Sequence, residues 1–173
     1  MKDKDLLDYS KQVKNQAQRL LKKNRVIETL NKYGEVIITG SYKFDLMYGP
    51  DIDLEVITNN PRENSLKALN EFIEARNFQK YEYGDFEAHP REKRPESFII
   101  VLDQILAGVK WEIEIWFFKQ RDPDKIKFEE KLTSLSQEQR KKILELKYQR
   151  DQMGRSKHAV SSYEIYRTVL FGE

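Results

Sequence analysis

Apolar residues recur at helical spacing from the start of the chain. Leu6, Leu7, Val13, Ala17, Leu20 and Leu21 share one side of a helix over 3–24. A shorter helical piece, Val26 to Lys32, stops at Tyr33-Gly34, where the glycine suits a C-cap. The period then changes. Glu35 to Thr39 is a β-branched run, read as a buried strand that ends at Gly40-Ser41, and a connecting segment covers 42–50. Asp51 to Thr58 alternates residue by residue, the mark of a strand with one wet and one dry face. After the break at Asn59-Asn60-Pro61, a helix over 62–76 is expected to turn Leu66, Leu69, Phe72 and Ile73 inward. Phe78 to Tyr83 reads as a strand and 84–96 as a long charged loop. Strands at 97–104 and 110–118 follow, joined as a hairpin near Ala107-Gly108. Helical pieces close the chain at 124–131, at 136–152 with Ser134 or Ser136 as cap, and at 159–170 after a break at Gly154.

This order predicts an α+β fold: a sheet core with its N-terminal helix over 1–122 and a helical appendage over 123–173. The composition supports a packed core, with 39% hydrophobic residues in 173. No run approaches the roughly 18 apolar residues of a membrane span, and Met-Lys-Asp-Lys-Asp is not a secretory leader. These features lead us to expect a cytoplasmic protein. With no cysteine, thiolate metal sites and cysteine nucleophiles are excluded. His89 and His158 are the two histidines, too few for a His-rich metal centre and read as incidental. The chemistry must rest on carboxylates, hydroxyls and basic side chains.

Net charge is only +2, but it is unevenly spread: +5 over 1–25, −7 over 26–118 and +5 over 119–157. An acidic centre between basic arms suits metal ions in the middle and anionic groups from the sides. In the acidic centre, alternation places Asp51, Asp53 and Glu55 on one face of their strand, with Ile52, Leu54 and Val56 on the other. Carboxylates two apart on a strand are about 6.6 Å apart at the backbone and reach the same ions. Crowded anions with no His or Cys among them favour Mg²⁺ or Mn²⁺ over zinc. Gly40 lets a phosphate approach the backbone. Ser41, if it opens a helical turn, offers a hydroxyl and an N–H. On the later strand, Glu112 and Glu114 share one face, opposite Trp111, Ile113, Ile115 and Phe117.

At Gly40-Ser41, Asp51-Ile52-Asp53 and Glu112/Glu114 the chain resembles the nucleotidyltransferase superfamily of the polymerase-beta type, over roughly residues 34–118. It looks closest to small bacterial stand-alone members, which include antibiotic-modifying and toxin–antitoxin enzymes. No Gly-Lys-Ser/Thr follows Gly40, so a P-loop does not compete. The resemblance implies a mixed sheet flanked by helices and Mg²⁺-dependent transfer of a nucleoside monophosphate from an NTP such as ATP to an acceptor hydroxyl. It implies Asp51, Asp53 and Glu114 as catalytic residues and ligands of two Mg²⁺ ions, with Glu112 the alternative third carboxylate. Gly40, Ser41, Lys157, Ser162 and Tyr163 would bind the nucleotide, with Arg150 and Arg155 near the triphosphate. The expected acceptor is a small molecule or a protein rather than a long nucleic acid, since no nucleic-acid-binding motif is present. The alternative is a catalytically inactive member acting as a nucleotide- or partner-binding module.

Overall fold

The computed structural model describes residues 3–88, 96–154 and 160–172. Two helices, α1 (Asp3–Lys23) and α2 (Val26–Leu30), precede β1 (Glu35–Thr39). A one-turn helix, α3 (Gly40–Lys43), leads to β2 (Asp51–Ile57), and α4 (Pro61–Ala75) crosses to β3 (Lys80–Asp85). The hairpin of β4 (Phe98–Leu106) and β5 (Val109–Phe118) is followed by α5 (Pro123–Thr133), α6 (Gln137–Gln152) and α7 (Ser162–Phe171). The hairpin turns on Ala107 and Gly108, both at positive φ, as the tightest two-residue turn requires.

The five strands form one mixed sheet in the order β1-β2-β5-β4-β3. Among the described residues only β2 and β5 run parallel, with Asp51 opposite Glu112 and Asp53 opposite Glu114. Alternation then sorts the faces. Ile52, Leu54, Val56, Phe98, Ile100, Leu102, Ile113, Ile115 and Phe117 are each at most 2% exposed and pack with residues of α1, α2 and α4. Each such burial contributes about 1.5–3 kcal/mol, so the inner face supplies most of the driving force and the outer face is left to carry charge. A second apolar cluster joins Phe44 and Leu46, just after α3, to Leu132, Leu135, Ile143, Ile165 and Tyr166 of the tail. The tail is therefore fastened to the core beside the Gly40-Ser41 turn.

Several boundaries differ from expectation. β3 begins two residues late because Phe78 is an anchor, packed edge-to-face on Phe72 and Tyr81. It also takes in Gly84 and Asp85 from the expected loop. A Cβ at Gly84 would lie 2.7 Å from Ile99 Cγ2, so glycine permits the close pairing there. In α4 the buried positions are Pro61, Ser65, Ala68 and Phe72, and Leu66 and Ile73 face outward. The last helix starts at Ser162, because Ser161 and Glu164 close a capping box. The same device on Ser136 and Gln139 starts α6 and decides between the two candidate caps. His89, Arg155, Lys157 and His158 lie outside the described residues.

Candidate active site

β1 and β2 run antiparallel with Thr39 opposite Asp53, so the strand-end glycine meets Asp53 directly. Gly40 has φ +63°, and a Cβ there would sit 2.0 Å from Asp53 Oδ2. Any side chain would collide with the carboxylate, and this φ disfavours one in any case. Asp51 and Asp53 are half-buried on the outer face. Their oxygen-only donor set and their spacing along one strand fit a hard divalent cation.

Glu55, the next position on that face, has another fate. It is 2% exposed and accepts from Arg121 Nε at 2.6 Å and Lys125 Nζ at 2.5 Å. Arg121 continues to Glu129 at 2.9 Å, and Glu129 also accepts from Thr39 Oγ1 at 2.6 Å and Lys43 Nζ at 2.7 Å. Burial pushes the Glu129 carboxyl up, but Lys43, Thr39 and Arg121 outweigh it and hold it below the ordinary carboxylate value. Burial lowers the Arg121 guanidinium, and the contacts to Glu129 and Glu55 raise it above its usual value. This network ties α5 to β1, β2 and α3. It rigidifies the floor of the site rather than leaving Glu55 to share ions with the aspartates.

The two candidates for the third carboxylate lie across the parallel strand pair from the aspartates. Among the described residues no three His, Cys, Asp or Glu side chains gather as a metal-binding group. Glu114, opposite Asp53, turns an oxygen to Trp116 Nε1 at 3.1 Å. Glu112 sits opposite Asp51, so both candidates neighbour an aspartate across the parallel pair.

Ser41 does open a helical turn, but its hydroxyl is not presented to solvent. The residue is 8% exposed, and Oγ lies 2.8 Å from Lys147 Nζ and 3.0 Å from Tyr166 Oη. Lys147 is the residue at this turn that sequence reasoning missed. It is 2% exposed on α6, and its ammonium donates to Ser41 Oγ, to the Leu46 carbonyl at 2.8 Å and to Tyr166 Oη at 3.0 Å. No carboxylate pairs with it among the described residues. The available signal was positional. Lys147 continues the inward stripe of Ile143, Leu144 and Arg150, where a lysine must find internal partners.

The other tail candidates make contacts of their own within the tail. Arg150, 5% exposed, bonds Asp151 Oδ1 at 2.9 Å and the Val160 carbonyl at 3.3 Å. Ser162 is the first residue of α7 and leaves the capping to Ser161. Tyr163 is 53% exposed with its ring 4.8 Å from that of Phe128. The α7 contact to Ser41 comes instead from Tyr166, one turn further on.

No family model and no curated protein matches the chain. Solved structures do. The polymerase core of TRAMP, an RNA surveillance complex, superimposes with a TM-score of 0.56 at 19% identity, covering 83% of this chain and 46% of that one. The Cid1 poly(U) polymerase, solved with Mg and 3′-dATP bound, gives a TM-score of 0.55 at 20% identity over 95% of this chain and 54% of that one. A cytoplasmic RNA terminal U-transferase gives 0.57 at 19% identity over 96% and 53%. The chain thus spans about half the length of these solved proteins. Its fold is the polymerase-beta-type nucleotidyltransferase fold, a mixed sheet flanked by helices. No helix is long and apolar enough to cross a membrane among the described residues.

Proposed function

We propose that this protein is a metal-dependent nucleotidyltransferase that moves a nucleoside monophosphate from an NTP to an acceptor hydroxyl. The observation that carries the reading is the packing of the Gly40 turn against the Asp53 carboxylate, on a strand face shared with Asp51 and within this fold. Asp51 and Asp53 would hold the cations, Mg²⁺ or Mn²⁺. Bound there, the ions would neutralise triphosphate charge and lower the pKa of the acceptor hydroxyl. Gly40 admits the phosphates to the backbone, and Lys147 at Ser41 offers a positive charge beside them. The acceptor oxygen attacks the α-phosphorus, pyrophosphate leaves, and Glu114 takes the proton. In this reading the core over 1–122 carries the chemistry and the appendage over 123–173 supplies Lys147. Nucleotide contacts from Lys157, Ser162 and Tyr163 are second to it.

The acceptor is a small molecule or a protein. The neighbours named for poly(U) polymerase and RNA terminal U-transferase activity add an RNA end to those choices. A cytoplasmic setting, where NTPs and Mg²⁺ are at hand, suits this chemistry. One observation favours a second reading, a nucleotide-binding module without turnover: Glu114 already accepts from the Trp116 indole N–H.

The test is a titration of the four NTPs, with and without Mg²⁺, on the wild type and on Asp51→Ala/Asp53→Ala. Mg²⁺-dependent binding of one NTP, lost in the double variant, supports the site. Binding that survives the double variant removes it. Binding without pyrophosphate release against an acceptor panel moves the conclusion to the module.

A further inference from the structure

Along the outer face of β5 the side chains run Glu112, Glu114, Trp116, Phe118, so carboxylates give way to aromatic rings within one strand. Beside the rings, between β5 and the start of α5, lies a cleft of about 330 Å³ lined by Glu114, Trp116, Phe118, Ser97, Arg121 and Lys125 among others. We propose that this cleft is the acceptor subsite and that it takes an uncharged heteroaromatic ring, of nucleoside size, whose attached hydroxyl points toward Glu114. The proposal rests on the nucleotidyl-transfer reading above.

Three features choose that chemistry. The first is the aromatic wall. The Trp116 and Phe118 rings lie within 9° of parallel with centroids 6.2 Å apart, and Phe86 extends the row at 5.7 Å and 18° from Trp116. The indole N–H is directed at Glu114, so Trp116 is oriented by the carboxylate and offers its ring as apolar surface to a planar partner. The second is Ser97, which is fully buried and whose hydroxyl has no partner among the described residues. A buried unbonded hydroxyl is unfavourable, and a ring nitrogen or exocyclic group at the edge of a ligand satisfies it. A phenol ring brings no such edge atom once its hydroxyl is committed to the reaction. The third is charge. Arg121 and Lys125 at the rim are both paired with Glu55, so the cleft offers little to an anion.

In the transfer, the acceptor oxygen forms a bond to the α-phosphorus, the bond to pyrophosphate breaks, and the hydroxyl proton passes to Glu114. Trp116, Phe118 and Ser97 take no part in that exchange. They decide which hydroxyl arrives.

The experiment is calorimetric titration of the full chain with adenosine, cytidine, guanosine and uridine, with N-acetyltyrosinamide and glycerol as comparison probes. Mg²⁺-dependent NTP binding is measured in parallel on each variant. At least one nucleoside is expected to saturate. Trp116→Ala should weaken it about tenfold, the usual size of a base–aromatic contact, and Ser97→Ala about fivefold, with NTP affinity unmoved in both. Trp116→Leu, with near-ultraviolet circular dichroism as a check on packing, covers the case in which the alanine variant does not fold. The proposal is overturned if no nucleoside saturates while NTP binding persists, or if N-acetyltyrosinamide binds as well as the best nucleoside. Equal loss of nucleoside and NTP binding in Trp116→Ala also overturns it, because the cleft would then hold the donor base. Failure of the underlying reading appears separately, as absent Mg²⁺-dependent NTP binding in the wild type.

Discussion

Two buried charged centres flank the Gly40-Ser41 turn, and they are balanced differently. On one side Glu55 and Glu129, 2% and 5% exposed, are met by Arg121, Lys125 and Lys43. On the other, Lys147 is 2% exposed and is met by a serine hydroxyl, a tyrosine hydroxyl and a carbonyl. Desolvating an ammonium costs several kcal/mol. Three hydrogen bonds from a charged donor to neutral oxygens return about 1.5–3 kcal/mol each, so the arrangement holds together without a counter-charge. An anion arriving beside Ser41 would improve it, whereas nothing arriving would improve the carboxylate network. The first centre is complete and serves the architecture. The second is open only in that no counter-charge meets its ammonium among the described residues.

The largest effect is expected where the complete centre is broken. Glu55→Gln keeps volume but removes one of the two carboxylates that hold Arg121, whose side chain is 14% exposed, and the partner of Lys125. Breaking a buried pair in this way should cost about 3 kcal/mol. The measurement is a urea midpoint read at unchanged slope. A loss below about 1 kcal/mol would mean that the two centres do not differ in the way described.

A smaller change in stability and a larger one in binding are expected at the open centre. Lys147→Met keeps the stem packed and leaves Ser41 and Tyr166 bonded to each other at 3.0 Å. Removing a lone buried ammonium also removes its desolvation cost, which offsets the hydrogen bonds lost with it, so unfolding should shift by no more than about 1 kcal/mol. NTP affinity should fall at least tenfold, about 1.4 kcal/mol. The reverse pattern, a several-kcal/mol loss with binding intact, would make Lys147 a fastening for the tail and nothing more.

The contrast between these centres also marks how far the sequence could be read. β1, β2 and the hairpin follow from β-branched runs and strict alternation, because a strand face is a local, period-two property. Gly40, Asp51 and Asp53 were legible for the same reason, as they share one turn and one strand. Lys147 and Tyr166 were not, since they reach Ser41 across 106 and 125 residues of chain. Glu55 read as a third carboxylate of the acidic face because alternation places side chains without saying what faces them. The cations that claim it come from positions 66 and 70 residues later. Tyr163 stood out by its resemblance to a Ser-Tyr pair, which is a local feature, whereas the Tyr166 contact to Ser41 is made across the fold.

The smallest effect concerns pH and again separates the two centres. Glu129 is held below the ordinary carboxylate value in the folded protein by Lys43, Thr39 and Arg121 acting against its burial. On unfolding its pKa returns to about 4.3. Between that value and the lower folded one, the unfolded chain binds the extra proton, so stability falls as the pH falls. One such proton contributes at most about 1.4 kcal/mol per pH unit. The contribution is fully present above pH 4.3 or so and is lost through the acid range beneath it. Glu129→Gln should flatten the curve of urea midpoint against pH over that window, relative to the wild type, while lowering it at neutral pH. Lys147→Met should leave the acid slope as it is, because no carboxylate pairs with that ammonium among the described residues. If the lysine variant flattened the curve instead, a carboxylate would have to sit within reach of Lys147, and the open centre would be closed after all.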